Sequence, residues 1–133
     1  ERYDGLIERR KEIIEFYNEK LADANLEIFD HYSDNNLSSG HLYLTRVLDI
    51  GEEERNNIIT EMSEKGISCN VHYKPLPLLT AYKKLGFNIK DFPNAYKQYE
   101  NEITLPLHTM LTDEDLNYIV NCYKSILNKY SRG

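Results

Sequence analysis

At 133 residues, 41% hydrophobic and 29% charged, with 6 Gly and 4 Pro, the chain has the composition of a single soluble globular domain, not of a disordered or fibrous one. Its net charge of -6, with 16 basic residues interleaved among 22 acidic ones, argues against a nucleic-acid surface, which needs clustered Lys and Arg. No run approaches the ~18 consecutive apolar residues of a membrane span, and the first residues lack the order of a signal peptide. Cys69 and Cys122 match neither a disulfide framework nor a zinc-ligand spacing, so both are expected to be core thiols in a reducing cytoplasm.

Leu6, Ile7, Ile13, Ile14, Tyr17 and Leu21 recur at helical spacing and predict a first helix over about 3–23. The polar stretch 30–40 reads as a loop. His41 to Leu48 reads as a strand, with Leu42, Leu44 and Leu48 on one face and Tyr43, Thr45 and Val47 on the other. Gly51 opens a helix whose first turn holds Glu52, Glu53 and Glu54, where carboxylates suit the positive end of the dipole. Ile58, Ile59 and Met62 form its buried stripe, and Gly66 ends it.

Residues 67–73 alternate as a strand would. Ile67, Cys69, Val71 and Tyr73 point one way, while Ser68, Asn70, His72 and Lys74 point the other, until Pro75 and Pro77 stop the pattern. A short helical segment at 78–85 is closed by Gly86, and another helix starts at Pro93. Ile103 to Leu107 reads as a short strand, at an edge or ending at Pro106. Thr112 caps a last helix striped with Leu116, Ile119, Val120, Tyr123, Ile126, Leu127 and Tyr130. The order predicts an α+β fold: a small two-layer sandwich with a three- to four-stranded, mainly antiparallel sheet and helices on one side. Segments 1–5 and 128–133 are expected to fray.

The densest polar cluster is Asn70, His72 and Lys74, three side chains on one face of the 67–73 segment. His72 offers an imidazole that can donate or accept, and Lys74 is a point charge suited to phosphate or carboxylate. His108 follows the 103–107 strand with the parity of Thr104 and Pro106, so it could reach the same face. On pattern alone this also fits an ordinary solvated strand surface, and His31 and His41 read as surface or capping residues. No glycine-rich phosphate loop, His-Glu-x-x-His, nucleophile elbow or metal-ligand set is present, and no lysine stands out as a Schiff-base former.

The run Gly66-Ile67-Ser68-Cys69-Asn70-Val71-His72-Tyr73-Lys74-Pro75-Leu76 resembles the C-terminal domain of the DegT/DnrJ/StrS sugar aminotransferases, which carry a Gly-Ile, Val-His-Tyr, Pro-Leu series there. Ser39-Gly40-His41-Leu42-Tyr43 before it agrees in order and spacing. So do Tyr82 to Gly86, Asp91-Phe92-Pro93-Asn94-Ala95 and Leu105-Pro106-Leu107-His108 after it. The resemblance covers about 6–127. It implies the C-terminal small domain of a longer enzyme that uses pyridoxal phosphate to move an amino group, commonly from glutamate, onto a nucleotide-linked keto sugar for surface polysaccharides or amino sugars. It further implies that the cofactor and its lysine belong mainly to a large domain, that no catalytic residue lies in this fragment, and that the whole enzyme is a cytoplasmic homodimer. A substrate-side role carries over to His72, Tyr73 and Lys74, and less directly to His108. Where many members place a second histidine, this sequence has Pro77. The rival reading is a non-catalytic small-molecule-binding or dimerisation module of the same fold. The start at Glu1, with a helix close behind it, also suggests a piece of a longer polypeptide.

Overall fold

The computed structural model describes residues 2–130. A first helix, α1 (Arg2–Leu21), leads to the short strand β1 (Leu26–Ile28) and a small hairpin, β2 (Tyr32–Ser33) and β3 (Asn36–Leu37). Then come β4 (Tyr43–Val47), α2 (Glu52–Glu64), a 3-10 turn at Leu76–Leu78, and the short helices α3 (Thr80–Lys84) and α4 (Pro93–Tyr99). Strand β5 (Glu102–Leu105) and the long helix α5 (Asp113–Tyr130) complete the chain. Of the segments expected to fray, 2–5 and 128–130 are helical, while Glu1 and 131–133 lie outside the described residues.

The main sheet has three antiparallel strands in the order β1-β4-β5, so the α+β expectation holds. Strand β4 is central, paired on one edge with β1 and on the other with β5; its Tyr43, Thr45 and Val47 are all buried, while Leu44 and Arg46 look the other way. Ile103 and Leu105 of β5 share the buried face, since directly paired residues point to the same side and the register sets Thr45 opposite Ile103 and Tyr43 opposite Leu105. Over this face lie α1, through Ile13, Ile14, Tyr17 and Leu21, and α5, through Leu116, Ile119, Val120, Tyr123, Ile126 and Leu127. Burying each of those aliphatic side chains is worth about 1.5–3 kcal/mol.

Local signals set the helix ends. Thr112 Oγ1 accepts from the Asp115 amide at 3.1 Å and the Asp115 carboxylate accepts from the Thr112 amide at 2.9 Å, a reciprocal box that satisfies two otherwise orphaned N–H groups. At α2 the Glu54 carboxylate does the same for the Gly51 amide at 3.0 Å. Gly66 ends that helix with φ +77°, a conformation that costs an L-residue ~1–2 kcal/mol.

Two sequence expectations need correction. The segment 67–73 is not a strand; its backbone pairs with the sheet only where Asn70 bridges Thr104, with amides and carbonyls exchanged at 3.2 and 2.8 Å. Two residues later the ladder stops, because the His72 amide, the next donor in line, turns to the Glu102 side-chain carboxylate at 2.7 Å. The carboxylate of Glu102 competes with its own backbone carbonyl and wins. The stretch read as a loop contains β2 and β3, preceded by β1, whose three residues are too few to show a period.

Candidate functional site

The site is built on the sheet face turned away from the helical core. Glu102 and Thr104 of β5 alternate with the buried Ile103 and Leu105, so they project to this opposite face. The segment next to β5 reaches them there: Asn70 pairs with Thr104 along the strand edge, and His72 bonds both side chains. The carboxylate is only 1% exposed and the threonine only 5% exposed. The His72 amide donates to Glu102 Oε2 at 2.7 Å, and the Thr104 hydroxyl donates to Glu102 Oε1 at 2.5 Å. His72 Nδ1 lies 2.9 Å from Thr104 Oγ1. The backbone of the loop thus binds the buried acid directly, and its ring reaches that acid through the Thr104 hydroxyl of β5.

Burial pushes the Glu102 carboxyl above its usual range, while the Thr104 hydroxyl, the His72 amide and the positive charge of Arg55 pull it back. Arg55, itself 1% exposed, comes from α2. Its guanidinium donates to the Tyr99 carbonyl at 3.2 Å, stands 3.5 Å from Glu52 and lies 4.7 Å from the centre of the Tyr99 ring. Toward Glu102 the Arg55 charge is the weakest of the three pulls that favour the ionised acid.

Past His72 the chain leaves the sheet. Its peptide bond to Tyr73 is cis, and the two rings meet edge to face with centroids 4.7 Å apart. Tyr73 is 71% exposed, and Lys74 is exposed as well. The alternating pattern placed Tyr73 with Ile67, Cys69 and Val71; in the fold it is a projecting side chain. Pro75, Leu76 and Pro77 then line an apolar depression of about 410 Å³ with Tyr82, Phe87 and Phe92.

His108 does not join this cluster. It lines a separate depression of about 370 Å³ with Ser68, Asp115 and Tyr118, and His72 is not among the lining residues. Its parity with Thr104 is lost because β5 ends at Leu105, so strand alternation no longer governs the residues after Pro106. His31 is neither surface nor cap: it is buried, stacked on Tyr43 with ring centroids 5.8 Å apart, and bonded through Nδ1 to Ser38 at 3.0 Å. Glu102 was missed altogether. The available signal was its period-2 spacing to Thr104 beside the polar side chains of 70–74.

Cys69 and Cys122 are free thiols, and burial pushes Cys69 up to about 12, so it is not a nucleophile at neutral pH. Among the described residues no group of three His, Cys, Asp or Glu could hold a metal, and no helix is long and apolar enough to cross a membrane.

Residues 1–124 match the model of the DegT/DnrJ/EryC1/StrS aminotransferase family. The chain belongs to that family. It is 29% identical over 130 residues to the UDP-4-amino-4,6-dideoxy-N-acetyl-beta-L-altrosamine transaminase of Campylobacter jejuni, covering 98% of this chain and 34% of that protein. To the spore coat polysaccharide biosynthesis protein SpsC of Bacillus subtilis it is 28% identical, covering 95% of this chain and 33% of the relative. Among solved structures, the pyridoxal-phosphate form of a Streptococcus pneumoniae protein described as a candidate sugar aminotransferase superposes with a TM-score of 0.95. That match has 49% identity and covers 98% of this chain and 33% of the other. The chain therefore spans about a third of the length of the proteins it matches.

The family depends on pyridoxal phosphate. Every lysine among the described residues is half-buried or exposed, and the Arg9, Arg46 and Arg55 guanidiniums are already engaged by carboxylates. Those three guanidiniums are therefore already committed within the chain.

Proposed function

We propose that this chain is the C-terminal lobe of an aminotransferase that moves an amino group, with glutamate as donor, onto a nucleotide-linked keto sugar for surface-polysaccharide or amino-sugar synthesis. On this reading the cofactor and the lysine that holds it belong to the rest of the polypeptide, and the enzyme works as a cytoplasmic homodimer. The observation that carries the proposal is the exposed corner His72-Tyr73-Lys74, anchored through Glu102 and Thr104 on a chain of this family. A corner held at its base and polar at its tip suits the wall of a cleft. The His72 ring offers a nitrogen to a sugar hydroxyl, Tyr73 offers a ring face and a phenol, and Lys74 offers a cation to a diphosphate. His108, on its own depression, contributes at most at the margin of that cleft. The relatives named for UDP-sugar and spore-coat polysaccharide work support the substrate class.

The test uses the full-length protein with its cofactor in the amine form. Mixed with nucleotide-linked keto sugars, it should convert the cofactor to the aldehyde form and release an amino sugar of the expected mass. His72→Ala and Lys74→Ala should lower kcat/KM for the sugar roughly ten- to hundredfold, as loss of one hydrogen bond or ion pair to substrate does, with cofactor retention unchanged. Failure of every nucleotide keto sugar to discharge the amine form would overturn the reading.

A further inference from the structure

A second consequence of the loop anchor concerns which nitrogen of His72 carries the proton. The Thr104 hydroxyl has one hydrogen. Glu102 takes it: Oε1 accepts from the hydroxyl at 2.5 Å, while Oε2 accepts from the His72 amide at 2.7 Å. Two accepting oxygens describe an ionised carboxylate. Toward His72, therefore, Thr104 Oγ1 has only lone pairs left to offer. The 2.9 Å contact between Oγ1 and Nδ1 is then a bond in which the ring donates, so the proton of the neutral imidazole is on Nδ1. Nε2 is left with its lone pair, and no described residue bonds it.

We infer that Glu102 and Thr104 are positioning residues that lock His72 in the Nδ1–H tautomer and present Nε2 as an acceptor for a donor hydroxyl of the ligand. An unconstrained histidine favours the opposite tautomer, with the proton on Nε2. In that form the exposed nitrogen is a donor and would favour a carbonyl or phosphate oxygen over a hydroxyl. The burial of both partners makes the lock strong: Glu102 and Thr104 are shielded from water that would otherwise compete for the same lone pairs. The identity of the donor as a sugar hydroxyl rests on the function proposed above; the tautomer does not.

Histidine-selective 15N labelling of the 133-residue chain reads the tautomer directly, because the protonated and lone-pair nitrogens of a neutral imidazole resonate far apart. The His72 signals are assigned by their loss in His72→Gln. In alkaline buffer, where an imidazole is neutral, the wild-type ring should show the proton on Nδ1; a proton on Nε2 overturns the inference with no variant needed. Thr104→Ser keeps the hydroxyl and should keep the tautomer, whereas Thr104→Val should release it to the Nε2–H form. Glu102→Gln should reverse the relay, since the new amide donates to Thr104 and the hydroxyl then donates to Nδ1. A purely structural role for Glu102 leaves the Gln variant in the Nδ1–H form, and that result also overturns the inference. In the full-length enzyme, Glu102→Gln should lower kcat/KM for the keto sugar roughly ten- to hundredfold and leave the half-reaction with the amino donor unchanged. If the tautomer behaves as stated while His72→Gln leaves the sugar half-reaction untouched, the placement of His72 against the sugar falls and the tautomer lock stands.

Discussion

Replacing Thr45 by Val tests the hydrogen-bond logic of the core at nearly constant volume. Thr45 is fully buried at the centre of β4; its hydroxyl donates to the Ile103 carbonyl at 2.8 Å and lies 2.8 Å from the Tyr123 hydroxyl. With its own proton spent on Ile103, Thr45 can only accept from Tyr123. Valine therefore strands the phenol of a tyrosine that is itself 0% exposed. An unsatisfied buried donor costs about 1–3 kcal/mol, so Thr45→Val should destabilise the chain by roughly 2 kcal/mol. Tyr123→Phe removes the donor instead, leaves Thr45 bonded to Ile103, and should cost only about 0.5–1.5 kcal/mol. The double variant has no stranded group, so its loss should fall short of the sum by about 1 kcal/mol. Urea unfolding at pH 7 reads this as a drop of about 1 M in midpoint for Thr45→Val, taking a slope near 2 kcal/mol/M. Additive losses in the cycle, or a Thr45→Val midpoint within error of the wild type, would refute the assignment of donor and acceptor.

Three further outcomes follow from single features. Gly40 and Gly66 both have positive φ, but a Cβ at Gly40 would sit 3.0 Å from Arg10 Cβ and 3.1 Å from Ile14 Cδ1, while one at Gly66 meets nothing within 4 Å. In urea melts Gly40→Ala should therefore cost clearly more than the ~1–2 kcal/mol of backbone strain expected for Gly66→Ala; equal losses would show that α1 yields. Burial lowers the His31 pKa from its ordinary 6.5, so the folded state binds this proton less readily than the unfolded chain does. Stability from His31 is complete above about pH 6.5 and is lost as the pH falls below it, by up to about 1.4 kcal/mol per pH unit, and His31→Gln should flatten that slope in melts run across the range. Finally, Ile126→Ala on the inner face of α5 should cost about 2–5 kcal/mol in the same assay, and a loss below 1 kcal/mol would mean that α5 is not packed on the sheet as described.

The well-read parts of the sequence share one property: their burial repeats along the chain. In α5 the apolar residues from Leu116 to Leu127 fall on one side of a 3.6-residue period, and Thr112 with Asp115 announces the start. In α2 the apolar period points to a stripe from Ile58 onward, but the buried side begins at Arg55, a charged residue that bonds the Tyr99 carbonyl, pairs with Glu52 and lies over the Tyr99 ring. Residues 67–73 show where repetition misleads. Their alternation is real, but the Glu102 side chain takes the amide of His72, the next donor of the ladder, so the strand ends after a single bridge.

The candidate site divides in the same way. His72, Tyr73 and Lys74 stand adjacent in the chain, and a family-like run marks them without reference to any partner. Their anchor does not: Glu102 is 30 residues from His72 and Thr104 is 32, and a glutamate in a strand ordinarily reads as a solvent-facing charge. His108, by contrast, was grouped with them on parity that ends with β5.

By itself, the order of residues determined the class of fold, the long helices, the strand at Tyr43–Val47 and the family, because each is written in local periods and contiguous motifs. Tertiary structure alone decided that this strand is central, that Glu102 and Arg55 are buried, and that His72 is held by its Nδ1. Those depend on which distant groups share a space with water excluded. A hydrogen bond between residues 32 apart leaves no period in the chain, only a geometry.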